Sequence, residues 1–196
     1  MNIPIFPLSI YLLPQGITRL RIFEQRYLNM VKNVHKTNGF VISYYQDSPN
    51  LDIESKISAW GSWVEIVNFM QGDDGILVID VKCKALVDIQ NTSINNEQLM
   101  VGEVEVRAHW ADSLGQKAQS QSELSELSGQ LRQVFNDNKP LADLYQLIFI
   151  DDPHWVCARW LELLPLPFAD KSIFSTQDSF NKALNFLSEI LIKEKI

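Results

Sequence analysis

The segment from residue 3 to residue 34, IPIFPLSIYLLPQGITRLRIFEQRYLNMVKNV, constrains the fold more than any other part of the chain. Prolines break its first apolar run, which therefore predicts a strand rather than a helix. A Pro-Gln-Gly turn follows, and after it come a second strand and an amphipathic helix. This short segment thus predicts a compact strand-turn-strand-helix unit at the start of the fold.

The order of residues in this segment resembles the opening of the Lon protease N-terminal (substrate-binding) domain. That family has Phe-Pro-Leu, then Leu-Phe-Pro-Gly, then Leu-Arg-Ile-Phe-Glu-Pro-Arg-Tyr. The matching residues here are Phe6-Pro7-Leu8, Leu13-Pro14 with Gly16, Leu20-Arg21-Ile22-Phe23-Glu24, and Arg26-Tyr27. The chain departs from the pattern at Gln15, which is inserted, and at Gln25, where the family has proline.

A second matching patch lies near the C-terminus. Residues 159–166 (RWLELLPL) resemble the family's Arg-Leu-Ala-Glu-Leu-Leu-Pro-Leu, and Lys171 echoes a later family lysine. Residues 82–86 (KCKAL) lack the Gly-x-x-Arg-Phe that such families usually show. The resemblance implies a stand-alone member with a PUA-like β-rich barrel followed by helices.

Charge and composition restrict the partners and the setting of the chain. The formal net charge is −7 at pH 7, and the lysines and arginines are scattered, so we expect no nucleic-acid partner. No window approaches the ~20 consecutive apolar residues of a membrane-spanning helix, so we expect no membrane association. Two cysteines require no disulfide framework. Together with the resemblance, these features predict a soluble bacterial protein of the cytoplasm.

The first half of the chain has the pattern of an antiparallel β structure. Gly61 indicates a bulge or a close approach of the backbone, and residues 71–75 (QGDDG) predict a tight hairpin. Residues 91–96 predict a polar loop. Several strands with short connections predict a small, partly closed barrel over residues 1–112. The predicted strands are residues 40–45, 57–70, 76–89 and 99–110.

The second half has helical periodicity. Residues 113–123 are small and polar and predict a linker, and Ser120 with Glu123 has the spacing of a capping box. Asp152-Pro153 predicts the start of a helix. A helical bundle over residues 120–196 follows, which makes the fold class α+β. Apolar residues recur at helical intervals from 124 to 134, from 141 to 148, from 156 to 164 and from 180 to 191.

Two groups of side chains are candidates for a binding site. The first is a polar cluster of Arg21, Glu24, Arg26 and Tyr27, which either fixes a bound peptide or forms an internal network joining strand to helix. We expect the second, structural role, with Glu24 in the first turn of the helix.

The second group is apolar and consists of Trp60, Trp63, Phe69 and Met70. These residues are either an exposed surface that binds unfolded segments or part of the core. Because Trp60 and Trp63 are three residues apart, they point to opposite faces of an extended strand. We hypothesise that one tryptophan lines a peptide-binding groove.

No pattern in the chain predicts catalysis, a metal or a cofactor. His35, His109, His154, Cys83 and Cys157 lack metal-ligand spacing, and the phosphate-binding G-x-x-x-x-G-K-[ST] motif is absent. Asp151 and Asp152 resemble a general acid/base pair, but a helix cap explains them more simply.

We therefore expect a non-enzymatic module that binds polypeptide or another protein, as an adaptor or a sensor of misfolded chains. Two other functions remain open. One is a small-molecule site in the β-rich lobe, and the other is a hydrolase that uses carboxylates or a cysteine.

Overall fold

The structure, a computed structural model, describes residues 2–46, 56–110 and 120–193. The chain divides into two compact units, Met1–Arg107 (unit 1) and Ala108–Ile196 (unit 2). Most of the predicted linker at residues 113–123 lies outside the described residues.

Unit 1 is built from strands, with one α-helix among its described residues. Helix α1 (Gln25–Asn33) follows the second strand and ends in a 3-10 turn (Val34–Lys36). The strands are β1 (Asn2–Leu8), β2 (Ile17–Ile22), β3 (Phe40–Tyr45), β4 (Ile57–Gln71), β5 (Leu77–Ile94) and β6 (Met100–Arg107).

Five of these strands close into a ring. The strand order is β2-β5-β4-β3-β1-β6, and β5 also pairs with β6, so that β2 alone lies outside the ring, on β5. Strands β1 and β3 are parallel, and all the other pairs are antiparallel. The prediction of a small, partly closed barrel is confirmed.

Apolar side chains fill the interior of the ring. They come from every strand of the ring, and register partners such as Ile5 and Met100 point to the same face. The interior is therefore a packed core. Its buried members are Ile3, Ile5, Val41, Val87, Ile89 and Met100, with Ile57, Trp63 and Val104 packed against them.

Helix α1 covers part of the outer face of the ring. Phe6 and Phe40 alternate with interior residues along β1 and β3, so their side chains point outward. Phe6 meets Tyr27 of α1, and the helix buries Met30 and Val31 on the same side, one turn further on. The amphipathic helix predicted after the second strand is confirmed.

Two glycine predictions are confirmed. At the tip of the β4–β5 hairpin, Gly75 adopts a φ of +79°, and the Gly72 N–H donates to the Ile76 carbonyl. Gly61 marks a close approach, because a Cβ there would lie 2.5 Å from the Ile42 carbonyl oxygen. Strand β4 is irregular on both sides of Gly61: its pairing with β3 shifts between Ile57 and Gly61, and its pairing with β5 shifts at 63/64 and 66/68.

The polar loop predicted over residues 91–96 is wrong. Strand β5 continues to Ile94, because its pairing with β6 resumes at Ser93 after a bulge. Asn91 absorbs the extra residue with a φ of +50°, which asparagine tolerates better than most residues. Its side-chain amide also donates to Glu103 of β6.

Unit 2 is helical throughout its described elements, which confirms the predicted helical lobe. Helices α2, α4 and α6 pack against one another, and the Trp160 indole N–H donates to the Leu127 carbonyl across α4 and α2. The helices are α2 (Ser120–Asp137), α3 (Lys139–Ala142), α4 (Pro153–Leu163), α5 (Phe168–Ser172) and α6 (Phe180–Ser188), which continues into a π-helical turn (Glu189–Lys193).

The ends of α4 follow the predicted signals. The Asp152 carboxylate accepts hydrogen bonds from the N–H groups of His154, at 2.9 Å, and Trp155, at 3.4 Å. Pro153 occupies the first turn, and the helix ends at Leu163, with the C-cap residue Leu164 extended just before Pro165. The capping box predicted at Ser120 depends on a side chain outside the described residues.

The helix predicted over residues 141–148 is only one turn long. Asn138 caps α3, but the chain leaves the helical path after Ala142. Tyr145, which was not predicted to be buried, packs its ring edge-on against Phe135 and Trp155. Tyr145 is therefore buried in place of the predicted helix face of Leu144 and Ile148, and Ile148 is exposed.

Candidate functional site

A groove in unit 1 brings most of the N-terminal motif together. Its volume is about 460 Å³, and it lies beside the start of helix α1. The residues that line it are Phe6, Pro7, Leu8, Arg21, Ile22, Phe23, Glu24, Arg26, Tyr27, Tyr45, Ile94, Gln98 and Met100.

The floor of the groove is formed by stacked, largely buried aromatic rings. The rings of Phe6 and Tyr27 stack with centroids 3.9 Å apart and an interplanar angle of 24°. Phe40 supports Phe6 from behind at 6.1 Å, and Ile22 and Met100 are buried beside them. Phe6, Ile22 and Tyr27 come from the two strands and the helix of the motif, so the strand-turn-strand-helix unit supplies much of the floor.

Exposed apolar side chains border the groove. Phe23 follows the end of β2 and is 69% exposed, and Ile94 ends β5 and is 45% exposed. Tyr45, at the end of β3, is half-buried. Large apolar groups that remain in water next to a concave apolar surface are typical of interaction sites.

The polar motif residues form two surface ion pairs instead of one internal network. Glu24 is the N-cap residue of α1, outside its first turn, and its carboxylate pairs with Arg26 at 2.8 Å instead of capping the helix. Arg26 also lies 4.7 Å from the centre of the Tyr27 ring and donates to the Gln98 carbonyl. Arg21 pairs separately with Asp74 at the hairpin tip.

Two pKa shifts reflect these contacts. Burial raises the pKa of the Tyr27 hydroxyl above its ordinary value, and the nearby Arg26 opposes that change in part. The pKa of Asp74 is lowered chiefly by the backbone N–H of Ile76, with Arg21 adding to the effect. Both groups keep their usual charge at neutral pH.

The structure separates the four apolar candidates. Trp60 is buried, 6.0 Å from Tyr11 and edge-on to it, whereas Trp63 packs on the interior core from the opposite face of β4. Lys84 lies over the Trp63 ring at 4.1 Å. Phe69 is exposed near the hairpin tip and Met70 is partly buried. The four therefore do not form one continuous surface.

The described residues hold no cluster of three or more His, Cys, Asp or Glu side chains that could bind a metal. Cys83 and Cys157 are buried, and burial raises the pKa of the Cys157 thiol to about 12. His109 and His154 lie in an aromatic cluster with Trp110 and Phe180. The His35 side chain lies outside the described part of the chain.

The C-terminal motif forms a buried ionic group in unit 2. The Arg159 guanidinium contacts both oxygens of Glu162, at 2.7 and 2.8 Å, and both side chains are nearly inaccessible to water. Lys171 donates to the Glu162 carbonyl at 3.1 Å, and burial lowers its pKa. The three residues join the end of α4 to α5, so this motif has a structural explanation.

The sequence did not predict the groove. Its exposed border residues Phe23 and Ile94 can be identified only when the ends of β2 and β5 are known. Phe23 belongs to the motif but has no separate sequence signal, and the sequence pattern predicts a loop at Ile94.

No helix among the described residues is long and apolar enough to cross a membrane.

Comparison with solved structures finds the same fold. A Lon N-terminal domain protein from Xanthomonas campestris is similar, with a TM-score of 0.71 and 26% identity, covering 95% of this chain and 96% of that one. The N-terminal domain of the Mycobacterium avium complex Lon protease has a TM-score of 0.62 and 10% identity, covering 98% and 100%. No curated protein sequence matches the chain.

The family model of the ATP-dependent protease La (LON) substrate-binding domain matches residues 2–193, which is nearly the whole chain. The chain therefore belongs to the LON substrate-binding domain family.

Proposed function

We propose that the chain is a polypeptide-binding module and that the groove of unit 1 is its binding site. Family membership supports a substrate-binding role, and the groove is the concave surface that the family's N-terminal motif lines. The single observation that carries the proposal is the combination of a stacked aromatic floor with the exposed border residues Phe23 and Ile94.

The chemistry of the groove favours an extended segment with bulky apolar side chains. Such a side chain can rest on the Phe6–Tyr27 stack and displace water from apolar surface, at about 25 cal/mol per Å² before the costs of association. The charges cancel within each of the two ion pairs at the border, so the border adds little net attraction for charged segments. Unfolded or damaged chains expose segments of this kind, which fits an adaptor or a sensor.

We also propose that the module carries out no chemistry of its own. A thiol with a pKa of about 12 is almost entirely protonated at neutral pH and is a poor nucleophile. Asp152, one of the two candidate carboxylates, is engaged in capping α4. Catalytic turnover by the purified protein that disappears on changing one polar side chain would contradict this.

The test measures binding of a permanently unfolded protein, fluorescein-labelled reduced and carboxymethylated α-lactalbumin, by fluorescence anisotropy. Phe23→Ser should weaken binding about tenfold, which corresponds to roughly 1.4 kcal/mol. Val106→Ser is the matched control, because Val106 is similarly exposed on β6 and does not line the groove. Equal losses in both variants would contradict a specific site.

A third variant tests the hairpin as the rival location. Phe69 is nearly as exposed as Phe23 but lies near the tip of the β4–β5 hairpin. If Phe69→Ser abolishes binding while Phe23→Ser does not, the site consists of Phe69 and Met70 instead of the groove. All three changes replace exposed side chains, so the fold should tolerate them.

A small-molecule ligand is the second candidate function. The groove volume of about 460 Å³ falls within the range of ligand pockets, and Arg21, Arg26 and Gln98 offer polar contacts at its border. A thermal-shift screen of metabolites distinguishes this function. A compound that raises the melting temperature and loses its effect in Phe23→Ser would support it.

A further inference from the structure

Unit 2 exposes three consecutive large apolar side chains in the connection between α3 and α4. Leu147, Ile148 and Phe149 are 71%, 40% and 43% exposed, and we call them the apolar tip. Runs of exposed apolar residues are costly for a protein in water unless another surface covers them. The groove of unit 1 does not include them.

The apolar tip is anchored at both ends. Tyr145 precedes it and is buried against Phe135 and Trp155, with ring centroids 5.3 and 5.9 Å apart. Ile150 follows it and is buried, and the Phe149 carbonyl accepts a hydrogen bond from the Asp152 N–H. The exposed residues are thus presented by a fixed backbone, which lowers the entropy lost when a partner binds.

The charged residues within the segment that carries the apolar tip are all acidic. Residues 143–152 (DLYQLIFIDD) contain three aspartates and no lysine or arginine, and Asp143 and Asp151 are exposed on either side of the tip. An anionic lipid surface would repel these carboxylates, whereas membrane-binding segments carry lysine and arginine next to their apolar residues. A second copy, with its own net charge of −7 and its own aspartates, is also a poor electrostatic match.

We propose that the apolar tip docks into an apolar pocket of a different protein whose border carries lysine or arginine side chains. Leu147, the most exposed of the three, enters the pocket, and Asp143 and Asp151 pair with the basic border. The two aspartates orient the partner and raise the association rate, and the apolar tip provides the contact area that is buried in the complex. This docking surface is independent of the proposed function, because it uses no residue of the groove.

The experiment places the photo-crosslinking amino acid p-benzoylphenylalanine at position 147 of the full chain in cells and maps the crosslinked peptides by mass spectrometry. The same amino acid at Gln133, an exposed polar position of α2, is the control. We expect crosslinks from position 147 to concentrate on one protein, within an apolar depression bordered by basic residues. Products that match the Gln133 control would overturn the proposal.

Charge reversal then tests the predicted partner. Asp151→Lys should reduce crosslinking from position 147 about tenfold, and changing a bordering basic residue of the partner to glutamate should restore it. Unchanged crosslinking in Asp151→Lys overturns the proposal. So do crosslinks to a second copy or to lipid. Because binding of the unfolded α-lactalbumin probe depends on the groove, it should remain normal in Asp151→Lys whichever result is obtained.

Discussion

Arg19 and Asp80 face each other across strands β2 and β5 and form a bidentate ion pair. The Arg19 Nε lies 2.7 Å from Oδ1 of Asp80, and its Nη2 lies 3.0 Å from Oδ2. Asn68 donates a third hydrogen bond to the same carboxylate at 3.1 Å. Since Arg19 and Asp80 are register partners, the pair holds β2 on the ring in a single register.

Asp80→Asn should lower the free energy of unfolding by about 2–3 kcal/mol, because the nearly buried carboxylate accepts charge-assisted hydrogen bonds. The hydrogen bonds from Arg19 are the main cause of the lowered pKa of Asp80. The stabilisation that the ionised Asp80 gives to the fold is therefore complete above the ordinary pKa of 3.8 and is lost as the pH falls below it. Urea unfolding between pH 7 and pH 3 measures both effects.

Asp88→Asn is the matched control for this change. Asp88 pairs with Arg107 across β5 and β6, but its side chain is substantially exposed. Its loss should cost at most about 1 kcal/mol. Equal losses in the two variants would show that burial of Asp80 does not strengthen its ion pair.

Gly61→Ala should destabilise unit 1 by about 2–3 kcal/mol. A Cβ at this position would lie 2.5 Å from the Ile42 carbonyl oxygen and 2.6 Å from a Val41 methyl carbon, so β3 and β4 would have to separate. Gly129→Ala in α2 should instead stabilise the protein by about 0.5–1 kcal/mol, because alanine loses less backbone entropy than glycine in a helix. Apart from its own chain neighbours and helix backbone, no atom in the described part of the chain lies within 4 Å of the added Cβ. Chemical denaturation of both variants measures the contrast.

Stability should fall between pH 6.5 and pH 4 because of His109. Burial lowers the pKa of His109 to about 4, and the facing His154 and Arg159 add to the effect, while the Phe174 carbonyl opposes it. Between the two pKa values the unfolded chain binds a proton that the folded chain does not, so acidification favours unfolding.

The His109 effect amounts to about 3 kcal/mol at pH 4. His109→Gln keeps a donor for the Phe174 carbonyl and removes the titration, so its stability should vary less over this range. Parallel pH profiles of unfolding free energy for the two proteins would contradict the assignment.

Neither cysteine should react with iodoacetamide in the folded protein at neutral pH. Both thiols are buried, and the pKa of Cys157 is about 12, so thiolate is scarce. Mass spectrometry should find alkylation only after a denaturant is added. Rapid modification of Cys157 under native conditions would instead favour the hydrolase hypothesis.

The elements of unit 1 were largely predictable because their signals are local. Turn chemistry predicted the hairpin, and the spacing of Trp60 and Trp63 predicted that they point to opposite faces of β4. The burial of both faces was not predictable, because it depends on ring closure on one side and on packing against Tyr11 on the other.

The groove illustrates the same limit. Its motif residues were identified, but their arrangement depends on where β2, β3 and β5 end relative to α1, and pairing between distant strands decides those ends. In unit 2, apolar spacing predicted a helix through Ile148. The tertiary contacts of Tyr145 with Phe135 and Trp155 prevailed over that local preference.

The position of β1 between β3 and β6 has a consequence for folding. Asn2 pairs with Glu103, so the ring needs residues about a hundred positions apart to meet before it closes. Topologies dominated by such distant pairings fold slowly, and they expose unpaired strands while they do so. During synthesis on the ribosome, one edge of β1 therefore stays unpaired until its neighbour β6 has emerged.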